Sequence, residues 1–216
     1  MLRTPSMASR MSATLLFRRF LADPMKVAYV VPSSKGMVKR VLERMDFERA
    51  RVFVEFGGGE GCYTRQIARR MSPEAKLLVF ELDPHLAEHL RRQFRDDPRV
   101  LVFQSDAALF RDELHKLGLK HADFVISGIP FSYIDPKTKK QILHSVHDGL
   151  AHEGMFIVYQ VSMELKGHAR MFPGCEVEYF LANIPPMFIL AFHKSEITLR
   201  KKPRRAKKPR KAEAVA

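Results

Sequence analysis

The chain has only two cysteines in 216 residues. Cys62 and Cys175 belong to no C-x-x-C pair and no Cys/His cluster, so no disulfide framework or zinc site is indicated. A reducing, cytoplasmic setting is the expectation that follows. Long apolar runs are also missing. The longest, Phe180 to Phe192, is interrupted by Pro185 and Pro186 and is too short to span a bilayer. The N-terminus lacks the charged, apolar and cleavage-site regions of a secretory signal. Acids are scarce, 24 against 37 lysines and arginines, for a net charge of +13. Nine of those basic residues lie between Arg200 and Lys211 with no acid among them, and without them the net charge falls to +4. The strong positive field therefore belongs to a tail, which attracts lipid headgroups, RNA or DNA alike. There are no internal repeats. The nine histidines, His144 and His147 included, have no ligand spacing, and no metal is expected.

With 46% hydrophobic and 28% charged residues, the chain has the composition of one globular α/β domain with a sizeable core. Three regions are expected. Residues 1–22 form an extension in which Ala13 to Ala22 places Leu16, Phe17, Phe20 and Leu21 on one helical face, with Arg18 and Arg19 off it. Such a helix can lie in a membrane interface. Residues 23–196 form the domain, and residues 197–216 a basic tail whose proline and charge content predicts disorder. Within the domain, Val52 to Val54 reads as a buried strand ending at Glu55, followed by a glycine loop and a helix carrying Thr64, Ile67, Ala68 and Met71. Further strands are predicted at Lys76 to Glu81, Val100 to Gln104, Ala122 to Ser127 and Met155 to Val161, the last after a turn at His152 to Gly154. Helices are predicted at Pro84 to Phe94 and Lys137 to Leu150. A final antiparallel pair, Glu176 to Asn183 and Met187 to His193, closes the pattern. Alternating strands and helices imply a mostly parallel sheet of the Rossmann-like α/β class, here seven-stranded with the C-terminal hairpin at one edge.

In such sheets a ligand lies beyond the carboxyl ends of the strands. The first of those ends carries E-x-G-x-G-x-G, from Glu55 through Gly57, Gly59 and Gly61, with Gly58 inside it. The nicotinamide-binding pattern G-x-G-x-x-G would need a glycine where Cys62 stands. The spacing found resembles motif I of the S-adenosylmethionine-dependent methyltransferases, whose loop amides hold the methionine half of that cofactor. Glu81, about 20 residues after the loop, can accept from both ribose hydroxyls, with Leu82 beside it and Asp83 further out. Asp106 can accept from an adenine amino group, and Gln104 and Ala107 can flank the ring. The fourth strand runs into S-G-I-P-F-S-Y, Ser127 to Tyr133. Carbonyls around Ser127, Gly128 and Pro130 can orient an amine for in-line displacement. Phe131 offers a ring face to a cationic headgroup. An alkyl ammonium must lose a proton before it attacks, and Tyr133, Tyr29 and Asp135 are the nearest candidates to assist.

From about Phe17 to Lys194 the chain resembles the bacterial phospholipid N-methyltransferases, which methylate phosphatidylethanolamine. The resemblance rests on the amphipathic lead-in before A-D-P-M-K-V, V-V-P-S-S-K-G, V-E-F-G-G-G-E-G, the strand ending in Glu81, V-I-S-G-I-P and A-N-I-P-P. It implies cofactor contacts at Glu55, Gly57, Gly59, Glu81 and Asp106, and a membrane-docking helix near Leu15 to Leu21. It also implies a phospholipid substrate on an anionic membrane surface, reached from the cytoplasmic side. The chain departs from that family's pattern at Ala28 and Tyr29 and at Phe131 and Ser132. The ribosomal RNA adenine dimethyltransferases are similar too, but their N-L-P-Y loop is replaced here by Ser127-Gly128-Ile129-Pro130. A second alternative is a cofactor-binding module without catalysis. Non-specific nucleic-acid contact through the tail is allowed, and no protein partner is inferred.

Overall fold

Residues 33–196 are described by the computed structural model. The expected helix within residues 13–22, Tyr29 and the basic tail lie outside the described residues.

Apolar β-branched and aromatic runs make the sheet. Its strands are β1 (Val52–Phe56), β2 (Lys76–Phe80), β3 (Val100–Phe103), β4 (Ala122–Ser127), β5 (Leu150–Gln160), β6 (Gly174–Phe180) and β7 (Met187–His193). They lie in the order β3-β2-β1-β4-β5-β7-β6. The first five are parallel neighbours, and β7 pairs antiparallel with both β5 and β6. The strand order reverses between β1 and β4, which opens a crevice at their carboxyl ends.

Helices cover both faces. They are α1 (Lys35–Leu42), α2 (Cys62–Ala68), α3 (Pro84–Gln93), α4 (Phe110–Lys116), α5 (Pro136–Gly149) and α6 (Glu164–His168). Alternation along β1 divides the core. Phe53 faces α1 and α2 through Met37, Val41, Tyr63 and Ile67, whereas Val54 and Phe56 face Phe110, Ile142 and Val146. Both α3 and α5 begin with an Asp-Pro pair. Asp83 accepts from the amides of His85 and Leu86, and Asp135 from those of Lys137 and Thr138, while each proline occupies a position whose N–H would have no partner.

The strand at residue 150 differs from expectation. β5 begins at Leu150 instead of Met155, because Leu150 already pairs with Ala122, and the extra residues between Leu150 and Met155 leave the ladder as an irregularity. Two distant motifs also meet. Ser34 caps α1 through the Met37 amide, gives its own N–H to Asn183 Oδ1 at 2.9 Å and its hydroxyl to the Ala182 carbonyl at 3.2 Å. Asn183 Nδ2 donates to the Pro185 carbonyl at 2.9 Å. Ser34 and N-I-P-P thus form one latch, holding the start of α1 on the β6–β7 connection.

Candidate active site

The crevice is a cavity of about 610 Å³ running across the carboxyl ends of the strands. One end is walled by Gly57, Gly59, Glu81, Leu82, Asp83, Asp106 and Ala107. The other is walled by Gly128, Ile129, Pro130, Ser132, Ile134, Thr138, Tyr159, Gln160 and Met187.

The glycine loop turns through positive φ at Gly57 and Gly59, and a Cβ on Gly59 would meet nothing within 4 Å. Its backbone therefore borders open space, the close approach that a ligand along the loop needs. Gly58 faces the other way, where a Cβ would stand 2.5 Å from Val79 Cγ1 and 2.8 Å from Leu90 Cδ1. Gly58 lets α3 pack on β2, and Gly61 caps α2. Neither borders the cavity. Glu81 joins the loop to α3: Oε2 accepts from the Gly59 amide at 2.9 Å and Oε1 from the Asp83 amide at 3.0 Å. Its carboxylate is thereby fixed in the wall with lone pairs to spare. Asp106 Oδ1 accepts from the Ala108 amide at 2.8 Å.

Glu55 stands behind the loop, 1% exposed, on the face toward α2. Thr64 Oγ1 donates to its Oε2 at 2.6 Å, and Oε1 has no hydrogen-bond partner among the described residues. Burial pushes this carboxyl up to about 8 against the Thr64 hydrogen bond, and the Glu81 charge raises it further. At neutral pH it is largely protonated.

The loop after β4 is shaped by close contact. Ser127 is buried, and its Oγ accepts from the Ile129 amide at 3.2 Å, which turns the chain but keeps Ser127 out of the cavity. At Gly128 a Cβ would lie 2.5 Å from the Tyr159 hydroxyl, so only glycine allows that ring to sit there. Tyr159 stacks on Tyr63 at 4.4 Å, and burial lifts its phenol well above the ordinary range, which keeps it protonated.

Three expectations for this loop are corrected. Phe131 offers no face to a headgroup: it is fully buried, edge-on to Phe156 at 6.3 Å, because its turn directs the ring into the core. Asp135 is taken up in capping α5, and hydrogen bonds from Thr138 hold its carboxyl below the usual range, which makes it a poor base. Tyr133 is 53% exposed and does not border the cavity. Tyr159 and Gln160 border it and were not singled out by sequence reasoning, although Y-Q ends a strand in the rank where acids were sought.

A family model described as an O-methyltransferase domain matches residues 25–178. The chain belongs to that O-methyltransferase family. Among relatives, an ornithine lipid N-methyltransferase of Singulisphaera acidiphila is 29% identical over 174 residues, 80% of this chain and 91% of that protein. A ribosomal RNA small subunit methyltransferase H of Bordetella petrii is 36% identical over 81 residues, 38% of this chain and 22% of that protein. The crystal structure of an RNA methyltransferase from Salinibacter ruber, in complex with S-adenosyl-L-homocysteine, has the same fold with a TM-score of 0.54 and 19% identity, over 77% of this chain and 95% of that one.

The protein is a methyltransferase that uses S-adenosylmethionine. The residues present fit that cofactor. Gly59 leaves room beside the loop, the Glu81 carboxylate can accept from a ribose, and Leu82 and Ala107 supply apolar wall on the adenine side. Among the described residues no group of three or more His, Cys, Asp or Glu side chains could hold a metal ion, and no helix is long and apolar enough to cross a membrane.

Proposed function

We propose that this methyltransferase acts on the primary amine of a membrane lipid headgroup, with phosphatidylethanolamine as the first candidate. The observation that carries the reading is the chemistry of the acceptor end. Its wall of Ile129, Pro130, Ser132, Ile134, Thr138, Tyr159, Gln160, Val161 and Met187 carries no charged side chain. Among the described residues this end is a neutral, largely apolar recess, which suits an uncharged amine on a short aliphatic linker. The Singulisphaera lipid N-methyltransferase, similar along nearly its whole length, supports the same reading, whereas the Bordetella RNA enzyme is similar over less than a quarter of its own.

Bound in the cavity, S-adenosylmethionine supplies an electrophilic methyl group on a sulfonium. The chain's own residues hold and orient: Glu81 fixes the ribose end, and the Gly128–Pro130 loop with Tyr159 shapes the acceptor end. The amine reaches the site neutral, its proton lost to water. Peripheral docking on an anionic membrane belongs to the same proposal. The apolar stripe of Leu16, Phe17, Phe20 and Leu21 and the basic run from Arg200 to Lys211 give two weak anchors, which together hold where one would not.

The test is mass spectrometry of lipids extracted after incubation with S-adenosylmethionine and vesicles of phosphatidylethanolamine and phosphatidylglycerol. Headgroups gaining methyl groups support the proposal. Unmodified lipid, with cofactor bound, overturns it.

A further inference from the structure

Exposed apolar side chains are spread unevenly over the domain. Among the described residues, every large one lies on β6 or in a connection beyond the carboxyl ends of the strands. Leu82 and Leu109 follow β2 and β3, on the cofactor side, and Val177 and Tyr179 lie on the edge strand β6. Tyr133, Met163, Leu181 and Ile184 follow β4, β5 and β6, around the acceptor end, and are exposed by 53%, 49%, 71% and 46%. Single exposed apolar residues are ordinary, but their gathering at one end marks a surface that meets something. The geometry brings the last four to one rim. The Ser132 and Ser162 hydroxyls meet at 2.9 Å, which sets Tyr133 and Met163, the next residues along, on adjacent turns. Phe180 pairs with Met187 and Gln160 with Phe188, so the connection carrying Leu181 and Ile184 rises beside a strand end that walls the cavity.

The flank of this rim is basic. Lys137 and Lys140 at the start of α5 and Lys166 on α6 are exposed. The acids beside them are engaged, Asp135 in capping α5 and Glu164 in an ion pair with the buried Lys139. Apolar side chains among lysines complement an anionic bilayer, in which tyrosine sits at headgroup level and lysine meets phosphate. The chain also enters the domain here. Ser34 is tied to Ala182 and Asn183, between Leu181 and Ile184, so residues 1–32, with the predicted apolar stripe, join the domain at the same rim. We propose that this rim is the face laid on the membrane: Tyr133, Met163, Leu181 and Ile184 enter the headgroup zone of an anionic bilayer and seat the acceptor end of the cavity on the lipid. This rests on the lipid-amine reading and names the face that serves it. A cavity of about 610 Å³, shared with the cofactor, has the size that takes a drug-sized ligand. The acyl chains of the substrate therefore stay in the bilayer, and only the headgroup enters.

The chain contains no tryptophan, so Leu181→Trp puts a single indole on the rim without adding charge. With vesicles of phosphatidylethanolamine and phosphatidylglycerol its emission should shift to the blue and be quenched by brominated acyl chains. Emission unmoved by vesicles overturns the proposal, and so does emission that moves with ribosomal RNA alone. A double variant, Met163→Asp with Leu181→Asp, is then compared with the wild type on two substrates. One is phosphatidylethanolamine in the same vesicles, the other the same headgroup on a short-chain lipid dissolved as monomers. Each aspartate removes an apolar contact with the bilayer and adds repulsion, so kcat/KM on vesicles should fall about tenfold or more. Efficiency on the monomeric lipid, and affinity for S-adenosylhomocysteine by calorimetry, should be unchanged. An equal loss on both substrates, or none on either, overturns the docking role. If the double variant fails to bind S-adenosylhomocysteine, the emission of Leu181→Trp decides alone. A wild type that methylates neither lipid removes the lipid-amine reading, and this inference with it. One that methylates both, while the emission stays unmoved, removes the rim alone.

Discussion

The buried carboxyl of Glu55 makes a quantitative prediction. In the folded chain it titrates near 8, against an ordinary value of 4.5, because burial opposes its charged form. Between those values the native state holds a proton that the unfolded chain has released. Stability is therefore full below the lower value and falls as pH rises toward the upper one, by up to about 1.4 kcal/mol per pH unit. Replacing Glu55 with Gln keeps the shape and an acceptor for Thr64 Oγ1, and removes the titration. Urea unfolding of both proteins, followed by far-UV circular dichroism, isolates the effect, because every other titrating group cancels in the difference. From about pH 5.5 to about pH 7.5 the stability of Glu55→Gln should gain about 3 kcal/mol on that of the wild type. Parallel stability profiles across that range would refute the reasoning and mean that the carboxylate is ionised in place.

Other parts of the site give sharper readouts. Glu81→Ala removes a carboxylate bonded to the Gly59 and Asp83 amides and should weaken S-adenosylhomocysteine binding by about tenfold to hundredfold; unchanged affinity in calorimetry would sink the ribose assignment. Gly128→Ala puts a Cβ 2.5 Å from the Tyr159 hydroxyl, so methyl transfer should be lost and unfolding should shift by about 1–3 kcal/mol, whereas wild-type activity would mean that the ring moves freely. Deleting residues 1–22 should abolish sedimentation with anionic vesicles while leaving S-adenosylhomocysteine binding intact, and retained sedimentation would rule out the docking role.

Much of this was legible in the sequence because the signals were local. Strand, glycine loop and helix around Glu55 to Gly61 follow from backbone and periodicity alone, and apolar spacing places α3 and α5, whereas the capping roles of Asp83 and Asp135 emerged only in the structure. The seven-stranded sheet with its antiparallel edge follows from alternation and from the Pro185-Pro186 break. What stayed hidden depends on which face a side chain takes. Gly58 and Gly59 are neighbours in one motif, yet one serves the packing of α3 and the other the cavity. Phe131 looked available beside a proline loop, but its turn buries it against Phe156. Gln160 was invisible for the opposite reason. A glutamine after an apolar run carries no motif, and its place in the wall comes from the Ser162 carbonyl that holds its Nε2.

The central claim is the acceptor. The purified protein, residues 1–216, would be given radiolabelled S-adenosylmethionine together with phosphatidylethanolamine/phosphatidylglycerol vesicles and ribosomal RNA in one reaction, then separated into lipid and RNA fractions. Label in the lipid fraction, none in RNA, is the predicted result. Label confined to RNA would contradict the account and make the basic run from Arg200 to Lys211 a better guide to the substrate than the neutral recess around Gln160.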